Sequence, residues 1–464
     1  MMDFNAGAAE LARRVREGEI SAADLTEAYL ARVEALNPHL NAFTEITAER
    51  SRAEARLVDA KLQVGEDPGP LAGVPFAVKN LVDIQGLTTL AGSRINRDHP
   101  PAGADATLIL RLRAAGAVLF GALNMGEYAY DFTGENRHYG PSRNPHDPGR
   151  MPGGSSGGSG TAVGAGMVPL ALGSDTNGSI RVPASLCGIF GLKPTFGGLS
   201  RAGSFPFCAS LDHLGPFGRC TRDLAVAFDA MQGPDPLDPV CSTAPPSPVS
   251  ETLESGVGEL RIAIAGDYFQ QGAMPEALAA VVRVADCLGV DTRLSLPEPA
   301  RARAAAYVIT ASEAANLHRE RLRTRPDDFD PDVRDRLLAA ALMPTHWYLQ
   351  AQRFRRWYHQ RVLALFDNVD VLIAPATPCT APTIGQKTMV IDGTEVLVRP
   401  NLGLYTQPIS FAGLPVVVTP IQNVSQLPMG VQIIAAPGRE DHALRISAAL
   451  ENVGVAAAWS VPAT

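Results

Sequence analysis

The chain has 464 residues, 46% of them hydrophobic and 19% charged, with a formal net charge of -8; it is long enough to bury a sizeable core, in one large α/β domain or in two to three smaller ones. An acidic balance with no basic run longer than "RFRR" excludes the clustered cationic face of a nucleic-acid binder. The six cysteines (Cys187, Cys208, Cys220, Cys241, Cys287, Cys379) form no CxxC pair, which points to reduced, packed thiols rather than a disulfide framework or zinc site and leaves a catalytic thiol as the alternative.

The start, "MMDFNAGAAELARRVREGE", lacks the apolar centre of a signal peptide, and no apolar run reaches the roughly 18 residues of a membrane span. The expectation is a cytoplasmic protein. "SAADLTEAYLARVEALNP" opens on an N-cap serine with Asp24 three residues on, and aligns Leu25, Tyr29, Leu30, Val33 and Leu36 on one helix face. A second helix is predicted over about 47–63, then a short buried strand in "GVPFAVKN", a helix in "ATLILRLRAAG" and a strand in "AVLFGALN". "MVPLALG" is a further strand, and "RDLAVAFDAMQG" an apolar helix. "GPDPLDPVCSTAPPSPVSE" is a proline-rich surface connection around 233–250 and not a domain boundary. Beyond it the pattern predicts a strand in "LRIAIAG", helices near 275–288, 298–322 and 331–366, strands in "VDVLIAPA", "PVVVTP" and "MGVQIIAAP", and a last helix near 439–453. "MVIDGTEVLV" carries Asp-Gly between alternating apolar residues and predicts a hairpin. The alternation predicts an α/β fold in a single domain over 1–464, with no internal repeat.

"GGSSGGSGTAVGAGMVPLALGSDTNGSIRVP", from Gly153 to Pro183, crowds Ser155, Ser156, Ser159, Ser174 and Ser179 among glycines, and no histidine lies between His146 and His213 to serve as their base. Gly153 to Gly157 spell G-x-S-x-G around Ser155, but the preceding "RNPHDPGRMP" is polar and proline-broken, not the buried strand that a nucleophile elbow follows. Neither phosphate-loop pattern is present. Ser179 has the better setting, because "SDTNGS" turns sharply after a strand and crowds backbone N–H groups that can form an oxyanion hole. The alternative is a glycine-rich turn before a helix. For the base, lysine occurs only at Lys61, Lys79, Lys193 and Lys387, and Lys79 alone ends an otherwise apolar strand. It serves as a base only if burial lowers its pKa from about 10.4 by several units; a strand-end lysine paired with a carboxylate is the other reading. Lys193, in "FGLKPT" between glycine and proline, reads as a loop or surface residue.

These residues resemble the amidase signature family. "VPFAVKN", "PGGSSGGS", "GSDTNGSIRVPASLCGIFGLKPT", "APATP" and "AGLP" occur in that family's order along essentially the whole chain. The resemblance implies a large mixed β-sheet between layers of helices, and amide hydrolysis without metal or cofactor. It implies Ser179 as nucleophile, Ser155 in a cis peptide as proton relay, Lys79 as base, and an oxyanion hole from the backbone of Thr176, Asn177, Gly178 and Ser179. The sequence departs from the family at Asn177, where glycine usually stands; asparagine tolerates left-handed backbone, and its side chain is expected near the acyl site. A non-catalytic scaffold of the same fold is the alternative from another class.

Within the family, the glutaminase branch of the tRNA-dependent amidotransferases recognises glutamine through a tyrosine, an arginine and an aspartate. Local wording places Tyr307 and Arg355 at the first two, with a helix-surface arginine as the other reading of Arg355, while the aspartate's place falls near Gly403. An arginine without that carboxylate suits a small acidic substrate with no adjacent amine. "SRAGSFPFCASLDHLGPF" and "YTQPISFAGLPVVV" are most similar to a branch that deaminates 1-carboxybiuret in cyanuric acid breakdown. That branch implies substrate contacts by Asn177, Tyr307 and Arg355 and a small helical partner subunit, for which apolar helices near the N-terminus are the expected surface, within a homodimer or heterotetramer. The alternatives are a general aliphatic or aryl amidase and the glutaminase component of a tRNA-dependent amidotransferase.

Overall fold

The structure is a computed structural model, which describes residues 2–462. Among the described residues thirteen strands run in chain order: β1 (Phe43–Ile46), β2 (Pro75–Lys79), β3 (Val118–Leu123), β4 (Leu170–Ser174), β5 (Phe190–Lys193), β6 (Leu214–Gly218), β7 (Ile262–Ala265), β8 (Arg293–Leu294), β9 (Val371–Pro375), β10 (Thr388–Ile391), β11 (Thr394–Leu397), β12 (Val416–Pro420) and β13 (Gly430–Ala435). Eleven of them form one mixed sheet in the order β1-β3-β2-β4-β6-β5-β12-β13-β9-β7-β8, and β10 with β11 makes a separate hairpin. The pairs β2–β3, β2–β4, β7–β8 and β7–β9 are parallel; the other pairs in the sheet are antiparallel.

Helices cover both faces. α1 (Ala8–Arg16) joins the two layers, with Ala8 and Ala12 in one core and Leu11 and Val15 in the other; on the second side lie α2 (Ala22–Leu40), α3 (Ala48–Gln63) and, further on, α5 (Gly157–Gly164), after α4 (Thr107–Ala114) on the first. Side chains alternate accordingly: Phe76, Val78, Leu170 and Leu172 enter the core beneath Leu108 and Leu112 of α4, while Ala77, Phe120 and Ala171 face Leu25, Tyr29 and Val58. Strands covered on both faces read as continuous apolar runs, which is why "PFAVK" and "LALGS" are wholly buried. The remaining helices are α6 (Arg181–Cys187), α7 (Thr221–Met231), α8 (Pro275–Leu288), α9 (Pro299–Leu317), α10 (Arg319–Thr324), α11 (Pro331–Ala341), α12 (Thr345–Leu363), α13 (Val398–Asn401), α14 (Gln407–Ala412) and α15 (Glu440–Asn452).

Local chemistry sets several of these bounds. Ser21 caps α2, its hydroxyl accepting from the Asp24 N–H at 2.9 Å, and Asn41 ends it in the left-handed region at φ 52°. Asp392 and Gly393 turn the hairpin with φ of 51° and 73°. Three expectations are corrected. The helix predicted over 331–366 is two, because Pro344 has no N–H to continue α11 and α12 starts just after it. The helix predicted over 298–322 breaks at His318, whose buried ring packs 4.0 Å from that of Tyr128. The apolar faces of α1 and α2, expected to be free for a partner, are buried in the core.

α5 packs closely against the end of β3. A Cβ on Gly158 would meet the Ala42 carbonyl oxygen and the Asn124 backbone nitrogen at 2.5 Å. Alanine ordinarily stabilises a helix interior over glycine by about 1 kcal/mol. Here Gly158→Ala is expected to destabilise by about 1–3 kcal/mol through overpacking, read as a lower denaturation midpoint; an unchanged or raised midpoint would contradict this packing.

Candidate active site

Parallel pairing of β2 with β4, in register at Val78 and Leu172, sets Lys79 and Ser174 side by side at the carboxyl ends of adjacent strands, the edge where open α/β sheets hold their sites. Lys79 is completely buried. Its Nζ donates to Ser155 Oγ at 2.7 Å and to Ser174 Oγ at 2.8 Å. Burial lowers its pKa to about 7, against the pull of Asp175, Asp212 and Asp131, which favour the charged form.

The other hydroxyls of the serine-rich stretch are occupied. Ser156 Oγ donates to the Ser174 carbonyl at 3.2 Å and Ser159 Oγ to the Leu172 carbonyl at 3.0 Å. The Gly154–Ser155 peptide is cis. A Cβ on Gly154 would lie 2.5 Å from Asp131 Oδ2 and from the Gly134 nitrogen, so only glycine fits there. Of the five serines, Ser179 alone lines a cavity of about 530 Å³ whose walls include Tyr130, Phe132, Thr176, Asn177, Tyr307, Thr310, Arg336 and Arg399.

The turn carrying Ser179 is clamped from below. Asp175 and Arg181 are both fully buried and joined by a two-pronged ion pair, Nε–Oδ2 at 2.9 Å and Nη2–Oδ1 at 3.0 Å. Arg181 Nη1 also donates to the Thr406 carbonyl at 2.9 Å and to Gln432 Oε1 at 2.8 Å. The Arg181 charge drives the Asp175 carboxyl far below the usual carboxylate range, against the opposing effect of burial. Thr406 Oγ1 donates to the Asn177 carbonyl at 2.6 Å, and Gly178 adopts φ 141° with Thr406 Oγ1 only 2.2 Å from where a Cβ would stand. With these anchors, the N–H groups of Thr176, Asn177, Gly178 and Ser179 find no acceptor among the described residues. Such an array can hold a developing oxyanion.

Several expectations change here. The positive φ falls on Gly178 and not on Asn177, whose Nδ2 instead donates to Thr310 Oγ1 at 2.9 Å while its Oδ1 is buried without a partner among the described residues. Lys193 is not a surface residue: it ends β5, is fully buried, and donates to the Pro194 carbonyl at 2.9 Å. Burial and the Arg181 charge lower its pKa to about 7 as well, but no serine hydroxyl contacts it among the described residues. Tyr307 lines the cavity. Arg355 does not: its Nε donates to the Phe411 carbonyl at 3.2 Å, where α14 ends, and its guanidinium lies 5.5 Å from the centre of the Phe196 ring. The cavity's arginines are Arg336 and Arg399, whose surroundings in the sequence resemble any helical surface. A side chain at Gly403 would require the Phe132 ring to move, since that ring stands 2.5 Å from the Cβ position.

The family described as Amidase matches residues 24–444, and the chain belongs to it. AtzE, the 1-carboxybiuret hydrolase component of Pseudomonas sp. (strain ADP), is 55% identical over 449 residues, spanning 96% of this chain and 98% of the relative. The glutamyl-tRNA(Gln) amidotransferase A-subunit of Roseiflexus sp. (strain RS-1) is 39% identical over 463 residues, spanning 94% of each. Among solved structures, a vestigial protein complex described as revealing the origins of an s-triazine catabolic enzyme superposes with a TM-score of 0.96 at 54% identity, over 98% of this chain and 100% of the other. The substrate complex of 6-aminohexanoate cyclic dimer hydrolase gives 0.86 at 31% identity, over 99% of each chain.

Removing one partner of a buried ion pair leaves the other charge uncompensated and costs about 3–5 kcal/mol. Arg181→Met is expected to lose that much in chemical denaturation, and the Arg181→Met/Asp175→Asn double variant to recover part of it. A loss below about 1 kcal/mol would show that the clamp carries little of the turn's stability.

Proposed function

Because the chain belongs to the amidase family and is an amidohydrolase of C–N bonds, we propose that it deaminates a small carboxylated linear amide, 1-carboxybiuret, in the breakdown of cyanuric acid. The terminal amide carbonyl is attacked, ammonia leaves, and water completes the hydrolysis to a dicarboxylated urea. The observation that carries the reading is the buried Lys79 amine on Ser155 Oγ, next to a turn that presents Ser179 to the cavity. Neutral Lys79 takes the Ser155 proton as Ser155 takes that of Ser179. Ser179 Oγ forms a bond to the amide carbon, and the oxyanion settles on the N–H groups of Thr176 to Ser179. Lys79 returns the proton through Ser155 to the leaving nitrogen, the C–N bond breaks, and an acyl-enzyme remains on Ser179. Water enters by the same route and releases the acid.

Asn177 and Tyr307 contact the substrate in this reading. Asn177, its amide held by Thr310, and Tyr307 both line the cavity, which supports that role for each. Arg355, committed to Phe196 and the Phe411 carbonyl, is left out of the site. The glutaminase reading lacks the aspartate that its branch uses for the α-ammonium of glutamine, since Gly403 stands in that place beside the Phe132 ring. Action in the cytoplasm and a small helical partner subunit complete the proposal. The partner is supported by the description of the superposed relative as a protein complex, and the location by the described residues, which contain no helix long and apolar enough to cross a membrane.

Ammonia release from freshly generated 1-carboxybiuret, biuret, malonamate, glutamine and an aryl amide tests the assignment, with and without co-expressed small proteins. The carboxylated substrates are expected to lead with 1-carboxybiuret first, and Ser179→Ala to lower kcat by about 10⁴-fold or more. Glutamine as the best substrate, or turnover retained in Ser179→Ala, would overturn it.

A further inference from the structure

Every carboxylate lining the cavity is matched by a base. Asp131 lies 3.8 Å from Arg399. Asp332 pairs with Arg399 at 3.1 Å and with Lys387 at 3.7 Å, and Asp335 with Arg334 at 2.9 Å. Arg336, projecting from α11 into the same cavity, has no carboxylate within ion-pairing distance among the described residues. Its Nε donates to the Asp332 backbone carbonyl at 2.6 Å and its Nη2 to the Tyr130 carbonyl at 2.5 Å. Its Cζ sits 4.0 Å from the centre of the Tyr130 ring. These contacts aim the guanidinium and leave Nη1 without an acceptor among the described residues.

Carbonyl oxygens and a ring face carry partial charges only, so they orient a guanidinium without neutralising it. A half-buried cation with a fixed plane and a free edge is the arrangement that recognises a carboxylate geometrically and rejects an ammonium. Arg399 offers no such edge, being bound by Asp332 and drawn toward Asp131. We propose that Arg336 is the specificity-determining residue that anchors the substrate's carboxylate while Ser179 attacks the amide at the other end of the molecule. The inference rests on the reading of the substrate as a carboxylated amide. It assigns that recognition to a position on α11 instead of to Arg355 on α12.

The readout is a ratio: kcat/KM for the carboxylated amide turned over best in the substrate panel, divided by kcat/KM for the same molecule with carboxamide in place of carboxylate. Arg336→Gln is expected to lower this ratio about 30-fold, chiefly through KM of the carboxylated substrate, as loss of one charge-assisted contact predicts. General damage to the fold lowers both terms together and leaves the ratio in place. Arg336→Lys, which keeps the charge and the helix propensity but not the planar fork, is expected to lower it about threefold to tenfold and carries the same test if the glutamine variant is insoluble. A high parental ratio preserved in the Arg336 variants overturns the inference alone. A parental ratio near one overturns the carboxylated-substrate reading, and the inference with it.

Discussion

An amine buried on every side, in contact with two serine hydroxyls and with no carboxylate among the described residues, is the constraint on which the rest of this site depends. Lys79 ends a strand whose other residues are apolar and covered on both faces, so its ammonium form cannot be solvated by water. The carboxylates of Asp175, Asp212 and Asp131 act on it only across space, and they do not offset the loss of hydration. An amine whose pKa lies near 7 is about half neutral at that pH and can act as a base, and its neighbours decide what it deprotonates. Lys193 shows the contrast: it is as deeply buried and similarly shifted, yet its hydrogen-bond partner is a backbone carbonyl with no proton to give.

Two further devices turn a neutral lysine into a site. Parallel register between β2 and β4 brings Ser174 against Lys79, and the glycines before and after Ser155 admit a backbone approach that any side chain would block. The turn after β4 is then held by the Asp175–Arg181 pair below and Thr406 at its flank, and its N–H groups are left without an acceptor among the described residues. A buried ion pair is weak evidence for net stability, but it is an effective means of fixing one geometry. The cavity walls come from distant segments, with Tyr130 and Phe132 from one loop, Thr310 from α9 and Arg336 from α11.

How much of this could be read from the sequence follows from how local each feature is. Lys79, Ser155 and Ser179 stand in short motifs whose apolar or glycine-rich settings mark them directly, and β2, β4 and α2 carry their own patterns. β5 does not: one of its neighbours, β12, lies far along the chain, and Gly191 and Pro194 around Lys193 conceal a buried strand end. The breaks at Pro344 and His318 are concealed in long helical patterns, although the first has a signal in the proline. Among many helical arginines, periodicity cannot tell which ones face a cavity. Arg355 is taken up by Phe196 and the end of α14, and Arg336 stands out only when tertiary pairing shows which cation lacks an anion.

The protonation state of Lys79 is the central claim, and the pH dependence of kcat/KM reports it through the free enzyme. For an amide substrate that does not titrate between about pH 5 and 9, the account predicts a rate that falls at low pH, where Lys79 is charged, rises with a midpoint near 7, and levels off above it. A flat profile, or a rising limb centred near the ordinary lysine value of about 10.4, would contradict it.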